Sequence, residues 1–313
     1  MKKFFYSQTF IVTGLVFTIV WAIGINNIPL LVLSLITAFL FCKYRKCCKT
    51  TRDRSQKKQS HLYEEYALVS EVPSITKQWE LQAEEIIKIN PENMLALGIG
   101  FGDEIICLIE RLKAKYINQS FLGKLKSIEW IDLDDKYAGK SLKTMDFSPV
   151  EVRRIEPNNL LDIVDKNRWD CILCSFVLHD IKYEDKEKAI SILHKALKPE
   201  GVVIISEMFL DNKIKSGHTE ELERKREIDV LYDGFYKEVQ KEIGEKTIGK
   251  ENFLNELLEI KEGARNGKRD YFIAKQQTID LLSECGFVVN TDEDYIENKT
   301  NPCLGIIIGR KPI

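Results

Sequence analysis

From Asn90 onward, short apolar runs alternate with segments of helical periodicity. Five runs have the length and composition of buried strands, and they lie at residues 94–100, 127–133, 150–155, 169–178 and 201–209. The segments between them predict helices at Glu104–Tyr116, Asp135–Thr144, Leu160–Lys166 and Glu184–Leu197. Since strands that alternate with helices form parallel sheets covered on both faces, the pattern predicts an α/β fold.

The pattern changes after the fifth apolar run. Residues 211–268 are charged and helical, and we interpret them as an insert that forms a lid over a substrate pocket. A helix ending at Cys285 follows, and then two predicted strands at Phe287–Thr291 and Leu304–Arg310. The short segment between these strands has no helical pattern, whereas a parallel crossover usually needs a helix. We therefore expect the last strand to run antiparallel, in a hairpin at the edge of the sheet.

The first 44 residues have the composition of a membrane anchor. Two uncharged, mainly apolar stretches, Phe4–Ile23 and Ile28–Cys42, lie on either side of Asn26 and Asn27. Because a bilayer core needs about 20 helical residues, we expect a transmembrane helical hairpin at residues 1–44. A cleavable signal peptide would end in a small-residue site, and no convincing one is present. A single long span would bury the two asparagines in lipid, which is costly.

A basic linker follows the hairpin at residues 45–60. Between Lys43 and Lys58 there are eight basic residues and one acidic residue, Asp53. Under the positive-inside rule, this run and the pair Lys2–Lys3 keep both ends of the hairpin in the cytoplasm. We therefore expect a multi-pass membrane protein whose partner is the lipid bilayer, with a catalytic domain at residues 61–313 on the cytoplasmic side.

Charge and cysteine usage exclude two classes of partner. The chain has a net charge of −2 in spite of its basic linker, so residues 59–313 are acidic. An acidic domain argues against a nucleic-acid partner, because phosphates need a basic face. Cys171 and Cys174 lie three apart in a predicted strand and point to opposite faces, so they cannot share a metal ion, and we predict no metal site. Cys47 and Cys48 are candidate lipidation sites.

A glycine-rich turn follows the first predicted strand. Gly98, Gly100 and Gly102 allow the backbone to approach a ligand closely at the carboxyl edge of the sheet. A dinucleotide-binding turn would continue as G-x-G-x-x-G, but Asp103 and Glu104 stand here instead and would repel a pyrophosphate. Two carboxylates suit a ligand that lacks phosphate and carries cationic groups, as S-adenosylmethionine does.

Asp132 ends the second predicted strand. A carboxylate at this position can accept hydrogen bonds from both hydroxyls of a ribose, and Asp134 is the alternative acceptor. A solvated strand end is the other interpretation of the same residue.

Four motifs follow one another in order: Gly98-x-Gly100-x-Gly102, then Asp132, then the run from Trp169 to Asp180, then the run from Leu197 to Glu207. Together they resemble the class I S-adenosylmethionine-dependent methyltransferases over residues 90–310. The resemblance implies a Rossmann-like, seven-stranded, mostly parallel sheet with an antiparallel last strand. By position it places Asn158 near the adenine of S-adenosylmethionine and Ser175 beside the cofactor. Ala96 and Glu200 stand where the family usually has an acidic residue and a glycine.

His179 is the candidate catalytic base. It follows the fourth predicted strand at the carboxyl edge, and Asp180 is adjacent. The surrounding run is similar to that of small-molecule O-methyltransferases, in which this histidine is the general base. A base is required only when the acceptor must lose a proton, and a structural histidine is the alternative.

These features predict a membrane-anchored, S-adenosylmethionine-dependent methyltransferase that acts on a small or lipid-like acceptor. A second hypothesis is a membrane-anchored binding or scaffold protein with a degenerate methyltransferase-like domain, which Ala96 favours. A nicotinamide oxidoreductase is the third, and Asp103 together with the closing hairpin disfavours it.

Overall fold

The computed structural model describes residues 72–100, 102–115, 123–132, 139, 141–144, 146–155, 166–210, 218–242, 250–290 and 293–313. The predicted hairpin at 1–44, the linker at 45–60, Asp134 and Asn158 lie outside these residues. No helix in the described ranges is long and apolar enough to cross a membrane.

A seven-stranded sheet forms the centre of the domain. Its strands are β1 (Asn93–Leu97), β2 (Ser127–Ile131), β3 (Glu151–Arg154), β4 (Trp169–Ser175), β5 (Leu197–Met208), β6 (Tyr295–Glu297) and β7 (Leu304–Arg310). Their order across the sheet is β3-β2-β1-β4-β5-β7-β6. Neighbours among β1 to β5 pair in parallel, and β7 runs antiparallel to both β5 and β6. The predicted α/β sheet with an antiparallel last strand is confirmed.

In the described residues, six α-helices accompany the sheet: α1 (Pro73–Ile89), α2 (Asp103–Lys115), α3 (Tyr183–Ala196), α4 (His218–Glu242), α5 (Lys250–Arg265) and α6 (Lys275–Glu284). Apolar residues of α1 and α2 pack on one face of the sheet, and those of α3 and α6 pack on the other. The helices α4 and α5 contact each other and form the insert between β5 and α6.

Alternation along the central strands divides the core into two halves. Met94 and Cys171 belong to the half beneath α1 and α2, whereas Leu95 and Cys174 belong to the half beneath α3 and α6. All four are at most 1% exposed, so both faces of β1 and β4 are fully covered. The two cysteines therefore point in opposite directions, as the strand periodicity predicts.

The sixth strand differs from the sequence prediction. Residues 287–291 were expected to pair along their length, but of the described residues 287–290 only Val288 forms a bridge, an isolated one to Arg310. Phe287 is buried and stacks edge-on against His194, so its apolar character serves packing. The strand that pairs with β7 is the three-residue segment Tyr295–Glu297, which forms the edge of the sheet.

The boundaries of one predicted helix and one predicted strand also differ from the structure. In the predicted helix Asp135–Thr144, the residues Ser141–Thr144 form a 3-10 turn. The strand β5 begins at Leu197, directly after α3, and not at Gly201. The predicted helix at Leu160–Lys166 lies outside the described residues except for Lys166, which is not helical.

Candidate active site

The glycine turn connects β1 to α2 at the carboxyl edge of the sheet. All three glycines have positive φ, of 71° at Gly98, 50° at Gly100 and 95° at Gly102. A Cβ on Gly98 would lie 2.1 Å from Val177 Cγ2, and one on Gly102 would lie 2.5 Å from Leu142 Cγ. A Cβ on Gly100 would meet nothing within 4 Å. The outer glycines are therefore required by packing, and the middle one leaves space in front of the turn.

Asp132 lies directly beside this turn. The backbone N–H of Gly100 donates to its Oδ2 at 2.8 Å, and the N–H of Gly98 donates to the carbonyl of Ile131 at 3.0 Å. The turn and the end of β2 thus form one unit at the point where the strand order reverses. Ligands of open α/β sheets bind at such a point.

A cavity of about 290 Å³ opens in front of the turn. Its lining at the turn consists of Gly98, Ile99, Gly100, Asp103 and Glu104. The opposite walls are largely apolar, with His179 and Glu256 as the exceptions, and come from α1, the segment after β4, the end of β5 and the insert. They consist of Ile75, Trp79, Phe176, His179, Met208, Phe235, Phe253, Glu256, Leu257 and Ile260. One end of the cavity is therefore acidic and the other is apolar.

Glu104 is the most unusual group at the acidic end. It is 5% exposed, and its Oε1 has no hydrogen-bond partner among the described residues. Burial raises the pKa of Glu104 to about 8, with smaller contributions from the charges of Asp132 and Asp103, against the opposing effect of a hydrogen bond from Ser175. Burial also raises the pKa of Asp103.

Ser175 lies behind Glu104 in a buried polar network. The Nε2 of Gln82, on α1, donates to Ser175 Oγ at 3.0 Å and to Ser206 Oγ at 2.6 Å. Gln78, one turn earlier, donates to Ser206 Oγ at 2.8 Å. These bonds fix α1 over the ends of β4 and β5. The predicted cofactor residue Ser175 thus reaches the cavity through Glu104, since its own side chain is fully buried.

His179 lies at the boundary between the two ends. Its Nδ1 is 2.9 Å from Oε1 of Glu207, its backbone N–H donates to the other carboxylate oxygen, and its ring stacks on Phe272 with centroids 5.3 Å apart. Burial alone would lower its pKa, but the nearby carboxylate of Glu207, helped by Asp180 and Asp270, raises it to about 9.

A buried lysine lies near the acidic groups that surround His179. Lys186 of α3 is 1% exposed and donates to the carbonyl of Leu178, the residue before His179. Burial lowers its pKa to about 8, against the raising effect of Glu207. The ammonium of Lys186 and the carboxylate of Glu207 thus fix the position of the segment that carries His179.

Most residues predicted from the sequence meet at this cavity. Gly98, Gly100 and His179 line it, Asp132 binds the turn, and Ser175 lies behind Glu104. Gly102 packs beneath Leu142.

Sequence reasoning assigned no role to Glu207, did not identify the wall from α1, and predicted the insert as a lid without identifying which of its residues line the cavity. The only available signals were the position of Glu207 at the end of an apolar strand and the four-residue spacing of Ile75 and Trp79 on a helix.

The fold and the site define a Rossmann-like α/β domain with a ligand cavity at the carboxyl ends of its central strands. Among solved structures, the chain is similar to an O-methyltransferase family protein from Burkholderia thailandensis, with 12% identity, a TM-score of 0.47, and coverage of 75% of this chain and 55% of that one. It therefore spans about half the length of that protein.

Two further structures are similar at the same level. The Burkholderia thailandensis 1,6-didemethyltoxoflavin-N1-methyltransferase, solved with 1,6-didemethyltoxoflavin and S-adenosylhomocysteine, has 12% identity, a TM-score of 0.46, and coverage of 87% of this chain and 90% of that one. Human N-acetylserotonin methyltransferase, solved with SAM, has 16% identity, a TM-score of 0.44, and coverage of 80% and 57%. No family model and no curated protein matches the chain.

Proposed function

We propose that this protein is an S-adenosylmethionine-dependent methyltransferase. The observation that carries the proposal is the carboxylate of Asp132 on the N–H of Gly100, beside a cavity whose charged groups at the turn are acidic. The sheet order, with β7 antiparallel between β5 and β6, agrees with the family that the motifs resemble.

The chemistry of the donor set fits this cofactor. Among the lining residues that the structure describes, none is a lysine or an arginine, and the imidazole of His179 is hydrogen-bonded to Glu207, so the phosphates of a dinucleotide would meet two carboxyl groups at the turn. The sulfonium and ammonium groups of S-adenosylmethionine suit Asp103 and Glu104. The space in front of Gly100 permits the close backbone approach that such a ligand needs.

Each part of the site has a role in this proposal. When bound, the cofactor supplies an electrophilic methyl group. Asp132 would accept hydrogen bonds from the ribose hydroxyls, and Asn158, outside the described residues, is proposed to lie near the adenine. The apolar walls exclude water and hold the acceptor in line, which is the main requirement for a displacement at an activated carbon.

His179 would handle the acceptor proton. Because Nδ1 is hydrogen-bonded to Glu207, Nε2 is the nitrogen that takes a proton from a hydroxyl or amine in the cavity. The pKa of about 9 means that the imidazole is mostly protonated at neutral pH, so the base form grows as the pH rises.

The cofactor assignment is tested by calorimetry on the full-length chain with S-adenosylmethionine and with NAD. Binding of S-adenosylmethionine at micromolar concentration is the expected result. Binding of NAD alone would show an oxidoreductase, and binding of neither would favour the scaffold hypothesis, for which Ala96 is the motivating residue.

The acceptor is proposed to be small and largely apolar. Trp79, Phe235, Phe253 and Leu257 surround the end of the cavity that lies away from the turn, and such walls favour hydrocarbon over charged groups. Radiolabelled methyl transfer into lipid extracts, compared with transfer into water-soluble metabolites, tests this class. Labelling of the soluble fraction alone would reject a lipid-like acceptor.

A membrane location is also proposed, from the sequence at residues 1–60. A hairpin anchor would raise the concentration of a lipophilic acceptor near the domain. The full-length chain should sediment with membranes, resist extraction by high salt and alkaline carbonate, and be released by detergent. Release by salt alone would contradict insertion and indicate binding through the basic linker only.

A further inference from the structure

Glu104 is a buried carboxyl group that the fold itself does not explain. It lines the cavity, is 5% exposed, and its Oε1 has no partner among the described residues. Native proteins rarely leave a buried polar atom in this state, because the lost hydration costs about 1–3 kcal/mol. A ligand that supplies the missing partner would explain why the group is kept there.

The surroundings of Glu104 define the charge of that ligand. Its neighbours are the hydroxyl of Ser175 and the carboxyl groups of Asp103 and Asp132, and both acids add negative potential. No lysine or arginine is among the described lining residues, and the one described lining group that can carry a positive charge, His179, is hydrogen-bonded to Glu207. The group is therefore arranged for a cation from outside.

The position of Glu104 indicates which end of the proposed cofactor would contact it. Asp132 follows β2 and Ser175 ends β4, and these strands lie on opposite sides of β1. If the ribose lies at Asp132, the amino-acid end of the cofactor extends across the glycine turn toward Ser175 and Glu104. Ala96 pairs with Leu173, so it lies on the same sheet face as Ser175 and offers no carboxylate there.

We propose that Glu104 binds the ammonium group at the amino-acid end of the cofactor, supplying from the start of α2 the carboxylate that Ala96 does not supply from β1. This inference rests on the proposed function and deepens it, since it assigns a ligand group to one residue.

Glu104 should release a proton when the ammonium group binds. Since the pKa of Glu104 is about 8 without ligand, the group is mostly protonated at neutral pH, and an ammonium beside it would favour the carboxylate. The charges of Asp103 and Asp132 act on Glu104, and His179 and Glu256 line the same cavity; all four groups remain in every Glu104 variant. Binding at pH 7 should therefore release a proton that depends on Glu104.

The test compares E104Q with the unchanged protein in the full-length chain. The probes are S-adenosylmethionine and S-adenosylhomocysteine, which carry the ammonium, and methylthioadenosine, which lacks the amino-acid end. Calorimetry in buffers of different ionisation enthalpy measures both the dissociation constant and the protons released. E110Q makes the same substitution at an exposed position of α2 and serves as the control.

We expect E104Q to bind the two ammonium-bearing ligands at least 10-fold more weakly, to bind methylthioadenosine within 2-fold of the original, and to lose the proton release. E110Q should match the unchanged protein throughout. The inference would be overturned if E104Q bound all three ligands as tightly as the unchanged protein does, or if it lost the same factor of affinity for all three. Either result would leave the cofactor assignment in place. Failure of the unchanged protein to bind any of them would overturn the proposed function itself.

Discussion

At the scale of single residues, the site depends on how carboxylates set the protonation of their neighbours. Glu207 lies 2.9 Å from Nδ1 of His179, and its charge outweighs the effect of burial on the imidazole. The pKa of about 9 implies that about one imidazole in a hundred is in the base form at pH 7. The same contact that orients the ring therefore limits its activity at neutral pH.

This balance predicts the pH dependence of methyl transfer to an acceptor that loses a proton. Since only unprotonated His179 can act as base, the rate should rise about tenfold per pH unit from pH 7 and level off near pH 9. Removing the charge in E207Q should move this midpoint down by at least one pH unit. The measurement is kcat/KM across pH 6–10.

Two variants control this prediction. H179N should lose about 100-fold or more in rate and show no midpoint, whereas H194N, on α3 against Phe287, should leave the profile unchanged. A profile that is flat from pH 6 to pH 10 in the original protein would show that His179 has a structural role only.

At the scale of elements, two glycines of the turn between β1 and α2 have different roles, one in packing and one in ligand binding. A Cβ on Gly98 would also lie 2.5 Å from the carbonyl oxygen of Ser175, a backbone atom that cannot move without disturbing β4. Gly100 has a left-handed φ of 50° but faces open space. Two alanine substitutions, two residues apart, should therefore have different effects.

We expect G98A to destabilise the fold by about 3 kcal/mol or more, because overpacking adds to the strain of a left-handed alanine. G100A should lose only about 1–2 kcal/mol, from the backbone strain alone. Its methyl group would instead occupy the space in front of the turn and weaken S-adenosylmethionine binding at least 10-fold. Thermal melting and calorimetry of both variants measure these effects, and a G100A protein that binds normally would contradict the proposed cofactor position.

The elements that could be predicted from the sequence are those specified by local periodicity. The boundaries of α2 and α3 differ from the prediction by only one residue at each end, the run at 169–178 contains β4, and the run at 94–100 contains all of β1 except its first residue, Asn93. The strand β6 was missed because it has only three residues and directly follows the acidic run Asp292–Asp294, so its sequence shows no strand periodicity. Phe287 was misassigned for the opposite reason, since apolar residues also pack outside strands.

At the scale of the whole domain, the cavity is assembled from segments that are far apart in sequence. One apolar cluster joins Ile75 of α1, Phe235 of α4, Phe253 of α5 and Leu304 of β7. No local pattern indicates which face of an insert meets the first helix, so this wall could not be predicted. The sequence could indicate only that the insert at 211–268 follows β5, on the side where a lid would lie.

The wall formed by the insert should determine acceptor binding without affecting the cofactor, because it lies away from the glycine turn. Leu257 is 6% exposed and lines the cavity, whereas the next residue, Leu258, is 46% exposed. L257A removes apolar contact from the acceptor end and should raise the acceptor KM about 10-fold, with unchanged affinity for S-adenosylmethionine. L258A makes the same chemical change on the outer face of α5 and should alter neither value. If L257A weakened the cofactor as much as the acceptor, or if L258A behaved like L257A, then the insert would act through the stability of the domain, and the division of the cavity into a cofactor end and an acceptor end would be wrong.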